Sequence, residues 1–148
     1  MINFLLSSLI FFLKCLLVFG AFGTLYFIFE VGFFIFNRPK ILKPKRFLML
    51  LIGGIIGSIL FLVYKIPIFD NTIFIPLYML ISGIIITSGE LGFGILLNIK
   101  LKLDLWDYSG FKYNFMGQIN SEYAIKWCEL GFVIYYLSMF LDWAVFHG

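Results

Sequence analysis

An all-α integral membrane protein, built as a bundle of four transmembrane helices, is the fold class this sequence predicts, and three observations predict it. The mean hydropathy is +1.04, and 62% of the 148 residues are hydrophobic. Only 13% are charged, against about 25% in an ordinary soluble domain, and a chain this short has too little interior to hide so much apolar surface from water. The apolar residues also come in long runs: Asn71 to Gly89 alone holds 19 residues without a charge. The net charge of +3 rests on clustered basic residues, which speak to membrane topology and not to nucleic-acid binding.

A spanning helix needs about 20 mostly apolar residues at about 1.5 Å of rise each. The segment Ile2 to Leu13 is apolar but would rise only about 18 Å, so it lies in the interface or extends the span that follows. That first span is expected over 15–36, interrupted by Glu30; if it begins near Phe4, Glu30 falls at its end. The N-terminus is expected to be retained, because no basic region precedes the first apolar run and Lys14 breaks the small-residue pattern of a cleavage site. Residues 37–46 hold Arg38, Lys40, Lys43, Lys45 and Arg46 with no acidic residue, and a short loop of this kind stays cytoplasmic.

The second span, 47–64, carries Gly53 and Gly57 with Gly54 and Ser58 beside them; Gly-x-x-x-Gly lets another helix approach closely. Pro67 and Asp70 mark an outer turn before the third span, 71–98. There Gly83, Thr87, Glu90, Gly94 and Asn98 recur at helical spacing, stacking small and polar groups on a face that should meet other helices. The connection 99–126 returns to the cytoplasm, and the fourth span, 127–146, carries Glu129 and Asp142. The chain is thus expected to be one multi-pass domain of the cell membrane with both termini outside. Cys15, Cys128 and His147 are scattered, so neither a metal nor another cofactor is expected.

Three acidic residues share a local pattern. Glu90 and Glu129 each open Glu-Leu-Gly-Phe, and Glu30 opens Glu-Val-Gly-Phe. An Asp at mid-membrane costs roughly 2.5–3.5 kcal/mol on insertion scales, so an acid there is paired, hydrated or used. Glu30 precedes Arg38 by eight residues and Glu90 precedes Lys100 by ten, which puts both roughly 12–15 Å below the cytoplasmic boundary and points to a repeat of helix pairs. Glu90 then has three readings: a structural acid, the partner of a basic group, or part of a site for a cation or polar substrate. Burial favours its neutral form and a basic neighbour its charged form. Glu129 has Lys126 three residues earlier on the same helix; Asp142 is expected to be solvated near the outer surface.

The connection after the third span contains Trp106-Asp107-Tyr108-Ser109-Gly110 and Asn114-Phe115-Met116-Gly117-Gln118-Ile119. Trp and Tyr prefer the headgroup level, and Asp, Ser, Gly and Asn favour turns. In its order of Glu90, Trp106, Asp107, Tyr108, Ser109, Asn114, Gly117 and Ile119, followed by Trp127, this half of the chain resembles the ABC-transporter type IV, or CmpB-like, family of small bacterial membrane proteins. The likeness is best from Gly83 to Trp127 and weaker earlier, where Asn37-Arg38-Pro39-Lys40 stands in place of an Arg-Gly turn and Phe47-Leu48-Met49 in place of a Pro-Ile-Tyr-Gly stretch. Gln118 stands where the family commonly places Arg.

The resemblance implies a permease or permease-associated subunit. No Gly-x-x-x-x-Gly-Lys-Ser/Thr loop occurs, so the ATPase would be a separate chain docking between Lys100 and Lys126. A translocation path would form between copies in a homo-oligomer. The alternatives are a non-catalytic assembly or regulatory protein bound to another membrane subunit, and a membrane-embedded enzyme using Glu90 and Asp107 as acid and base. All three readings place Glu90 inside the bundle beside the Trp106 to Asn114 loop.

Overall fold

The computed structural model describes residues 2–37 and 47–147, with backbone alone at 2–3 and 30–37. The basic segment from Arg38 to Arg46 and the side chain of Glu30 lie outside the described residues. Among the described residues, four α-helices build the fold: α1 (Ile2–Asn37), α2 (Leu48–Tyr64), α3 (Ile75–Phe93) and α4 (Ser121–Leu141). Three stretches among the described residues are long and apolar enough to cross a membrane, Phe4–Phe29, Thr72–Lys100 and Ser121–His147, and the shorter Leu48–Tyr64 is also apolar. The protein is thus an all-α integral membrane bundle.

Helix α1 is continuous for 36 residues, about 54 Å, so residues 2–13 extend the first helix and do not form a separate interfacial one. It is apolar on all sides, and its outward residues, such as Phe4, Leu9 and Phe12, are exposed, as suits a helix whose solvent is lipid.

The helices pack as two antiparallel hairpins, α1 with α2 and α3 with α4. Small residues set the spacing in both. A Cβ on Gly53 would collide with Tyr26 and one on Gly57 with Phe22, both on α1; a Cβ on Gly83 would collide with Cys128 of α4. With no hydrophobic force between helices in lipid, such close contact is a main source of association.

Tyrosines join the hairpins. Tyr78 donates to the Leu60 carbonyl at 3.0 Å, and Tyr135 donates to the Phe69 carbonyl at 2.8 Å in the turn between α2 and α3. A hydroxyl inside a bundle needs such an acceptor, because lipid offers none. At the same end Lys65 reaches Asp142 at 2.6 Å, and the Asp142 side chain is only 16% exposed. The expectation of a solvated Asp142 is therefore corrected: the turn after α2 brings a lysine to it. With Lys65 43% exposed, solvent screening leaves this pair about 1 kcal/mol at most.

The boundaries of the second hairpin also differ from expectation. Helix α4 begins at Ser121, six residues before the predicted start, because Asn120 caps it: its Oδ1 accepts from Glu122 N at 2.6 Å and Tyr123 N at 3.3 Å. Helix α3 continues as a wider π-type turn over Gly94–Lys100. Its last turns stand beyond the start of α4, because Thr87 and Ser121 line one cavity while Gly94 meets Gln118. Glu90 lies level with the first turns of α4, where Glu122, Lys126 and Glu129 are exposed and mark the polar end of the bundle.

Candidate functional site

Residues 101–120 form a folded cap over that end. Its tightest part is a two-strand hairpin, β1 (Asn114–Phe115) and β2 (Ile119–Asn120), with Phe115 opposite Ile119. Gln118 N donates to the Phe115 carbonyl at 3.0 Å, and the two residues between, Met116 and Gly117, have φ of 56° and 69°. This is a type I′ turn, whose twist matches antiparallel strands and which favours glycine. Gly117 has a second constraint, since a Cβ there would stand 3.1 Å from Asp107 Oδ1.

The polar string serves this geometry. Asp107 accepts from Ser109 N at 2.8 Å and Ser109 Oγ at 2.9 Å, an Asx turn. Asn114 donates to the Phe111 carbonyl at 2.7 Å and accepts from Gly117 N at 3.0 Å. Tyr108 N donates to the Gly117 carbonyl at 2.8 Å, and Trp106 Nε1 to the Gln118 carbonyl at 2.9 Å. Asp107 and Ser109 are exposed, whereas Trp106 and Tyr108 point inward and are buried.

Asn98, on the last turn of α3, clamps the cap down. Its Oδ1 accepts from Leu105 N at 2.7 Å, and its Nδ2 donates to the Trp106 carbonyl at 3.1 Å and to Gln118 Oε1 at 2.9 Å. Gly94 makes room for this, since a Cβ there would lie 2.6 Å from Gln118 Oε1. Asn98→Ala is expected to weaken the cap by about 2–3 kcal/mol. Limited trypsin digestion should then cut at Lys100 and Lys102 several-fold faster, while the transmembrane core keeps its melting temperature. Unchanged cleavage would show that the clamp is not what holds the cap.

Beneath the cap sits Glu90, 1% exposed. Its Oε1 accepts from the Tyr26 hydroxyl at 3.0 Å and the Tyr108 hydroxyl at 3.3 Å; its Oε2 accepts from Trp127 Nε1 at 2.8 Å. Indole N–H is only a donor, so the direction of the last bond is fixed. The donors come from α1, the cap and α4 and converge on an acid of α3. Around them the rings of Tyr26 and Trp127 stack with centroids 5.7 Å apart, and Tyr108 and Tyr123 lie 4.9 Å apart. The Lys126 ammonium lies 4.7 Å above the Tyr123 ring. The cavity beside Tyr26, lined also by Phe22, Ile86 and Leu130, measures about 10 Å³, room for about one water and not for a substrate.

The structure therefore brings Glu90 and Tyr108 into contact and places Trp106, Asp107, Ser109, Asn114 and Gly117 in the cap behind them. Gly53 packs against Tyr26, one of the donors, and Gly57 and Gly83 stand at other helix contacts. Of the donors that reach Glu90 among the described residues, Tyr26 and Trp127 carried no signal for that role, because their partner is 64 and 37 residues away in sequence. Glu90 and Asp107 occupy separate settings, one buried and one exposed with both oxygens on Ser109. No cluster of His, Cys, Asp or Glu suited to a metal ion occurs among the described residues.

No solved structure matches the chain. A family model described as Putative ABC-transporter type IV matches residues 9–146, so the likeness that is clearest from Gly83 to Trp127 extends through α1 and α2 as well. With nearly its whole length matched, the chain belongs to the ABC-transporter type IV, CmpB-type, family.

Proposed function

We propose that the protein is a membrane subunit of an ABC-type transporter, a permease or permease-associated chain driven by a separate ATPase. Four helices cross the cell membrane with both termini outside. The cap and the basic residues from Arg38 to Arg46 face the cytoplasm, in keeping with the positive-inside rule. The observation that carries the reading is the convergence of α1, α4 and the cap on Glu90. A load applied to the cap passes through one carboxylate to both hairpins, which is what a subunit moved by an external motor requires. Exposed Asp107, Tyr113, Phe115 and Met116 give that motor a face to dock on. A substrate path lies between copies of the chain.

An assembly or regulatory role without transport is the second reading. It is favoured by the same acid: three donors engage Glu90, which makes it a structural junction and not an open binding group.

Pull-down from native membranes in mild detergent, followed by mass spectrometry, separates the two. Asp107→Asn keeps the oxygen that accepts from Ser109 N and removes an exposed charge. It exchanges the acceptor of the Ser109 hydroxyl for an amide to which that hydroxyl can turn as acceptor, so it tests docking with the backbone of the turn retained. Recovery of an ATPase with wild type and Glu90→Gln, and its loss with Asp107→Asn, is the expected result. Absence of any ATPase from the wild-type sample would overturn the transporter reading in favour of the assembly role.

A further inference from the structure

At the end of the bundle opposite the cap, a groove of about 310 Å³ runs between α1, α2 and the last turns of α4. Phe11, Val18, Phe61, Leu62 and Phe146 give it apolar walls, and Lys65 and Asp142 stand in its lining. The π-type turn Asp142–His147 that continues α4 carries Phe146 to it. Exposed Trp143 and His147 on the same turn place it at the headgroup level of a membrane.

The charges around this groove do not balance. Phe11, Lys14 and Val18 share a face of α1 by their helical spacing, and the Lys14 ammonium lies 5.4 Å from the centroid of the Phe146 ring in the groove wall. Among the described residues, Asp142 is the one acid in the lining, and it is already engaged: Lys65 lies 2.6 Å from Oδ1 and His147 lies 3.7 Å from Oδ2. Lys14 has no carboxylate within ion-pair distance among the described residues. A lysine inside an apolar stretch, here Phe4–Phe29, is costly, and a ring face recovers only part of that cost. Lys65 gives Asp142 one of its three N–H donors and is 43% exposed, so it has donors left for a second acceptor. Two cations with one acid leave an excess positive charge beside an apolar groove, and charge complementarity names what fills it.

We propose that the groove holds an anionic phospholipid from the leaflet at that end of the bundle. The phosphate lies between the ammonium groups of Lys14 and Lys65, and one acyl chain lies along Val18, Phe61 and Leu62. A zwitterionic headgroup is disfavoured, because its own ammonium adds a third cation to the cluster. The site requires only that the bundle be in a membrane, so it stands or falls separately from the docking of a motor.

Native mass spectrometry of the delipidated full chain tests it, with phosphatidylglycerol and phosphatidylethanolamine of identical acyl chains as probes. Wild type is expected to hold phosphatidylglycerol roughly fivefold more tightly, the value of one lysine facing an anionic lipid. Lys14→Met removes the charge, keeps the bulk of the stem and should bring the ratio towards one, whereas Lys14→Arg should preserve it. Because Lys14→Met takes a cation out of an apolar stretch, it is expected to melt no lower than wild type. Lys112→Met, at an exposed lysine of the cap, should leave the ratio unchanged. Glycerol phosphate, which offers the phosphate without acyl chains, should not displace the bound lipid. Equal retention of both lipids by wild type, a preference that survives Lys14→Met, an equal loss in Lys112→Met, or displacement by glycerol phosphate would overturn the proposal.

Discussion

Glu90→Ala is expected to cost about 3–5 kcal/mol of stability, the range for removing one partner from a buried polar cluster. The substitution strands the hydroxyls of Tyr26 and Tyr108 and the indole N–H of Trp127 in a place where lipid offers no acceptor. For a chain of this size that corresponds to a fall of roughly 10 °C or more in melting temperature, readable by size-exclusion of heated, detergent-solubilised protein. Glu90→Gln should lose less, because one carbonyl oxygen remains and the side chain keeps its volume, although its amide then faces a donor. Since the three donors come from different segments, the cap should also be released. Leu105→Cys, at a cap position only 1% exposed, should react faster with a maleimide in the Glu90→Ala background than in the parent. A Glu90→Ala protein within about 0.5 kcal/mol of wild type, the usual range for an inconsequential site, would show that this acid joins nothing.

Gly57→Ala carries the second largest expected effect on the stability of the transmembrane core. The new methyl would collide with the Cβ of Phe22, an atom fixed to the backbone of α1 that no change of rotamer moves aside. The hairpin must open or shear, and overpacking of this kind costs about 1–3 kcal/mol. Gly20→Ala is the matched control: the space at Gly20 is open for 4 Å around an added Cβ, and alanine is the better helix former. Thermal melts in one detergent should show Gly57→Ala several degrees below wild type and Gly20→Ala equal to it or slightly above. If both melt alike, the close approach of α1 and α2 at Gly57 does not limit stability.

The same contrast shows what sequence could convey about packing. Gly53 and Gly57 are legible as a close-approach surface because their spacing alone puts them on one helical face. Gly23 carries no such pattern, yet a Cβ there would strike the Leu50 carbonyl of the facing helix. Spacing along one helix shows which residues share a face. It does not show which residue of another helix lies opposite.

Composition and charge by themselves determined the membrane class, the all-helical architecture, the apolar helices and the inward polar face of α3, because lipid imposes a simple rule on each: long apolar runs, internally satisfied backbone and hidden polar groups. The order of Trp106, Asp107, Tyr108, Ser109 and Asn114 also foreshadowed a turn-rich cap. Tertiary structure alone decided that Tyr26 and Trp127 join the Glu90 cluster, that Lys65 meets Asp142, and that the end of α3 stands beyond the start of α4 under the cap. Each depends on the register between helices. In lipid that register is set by which small residues let backbones meet and where a donor finds its acceptor, relations between distant parts of the chain that local composition does not encode.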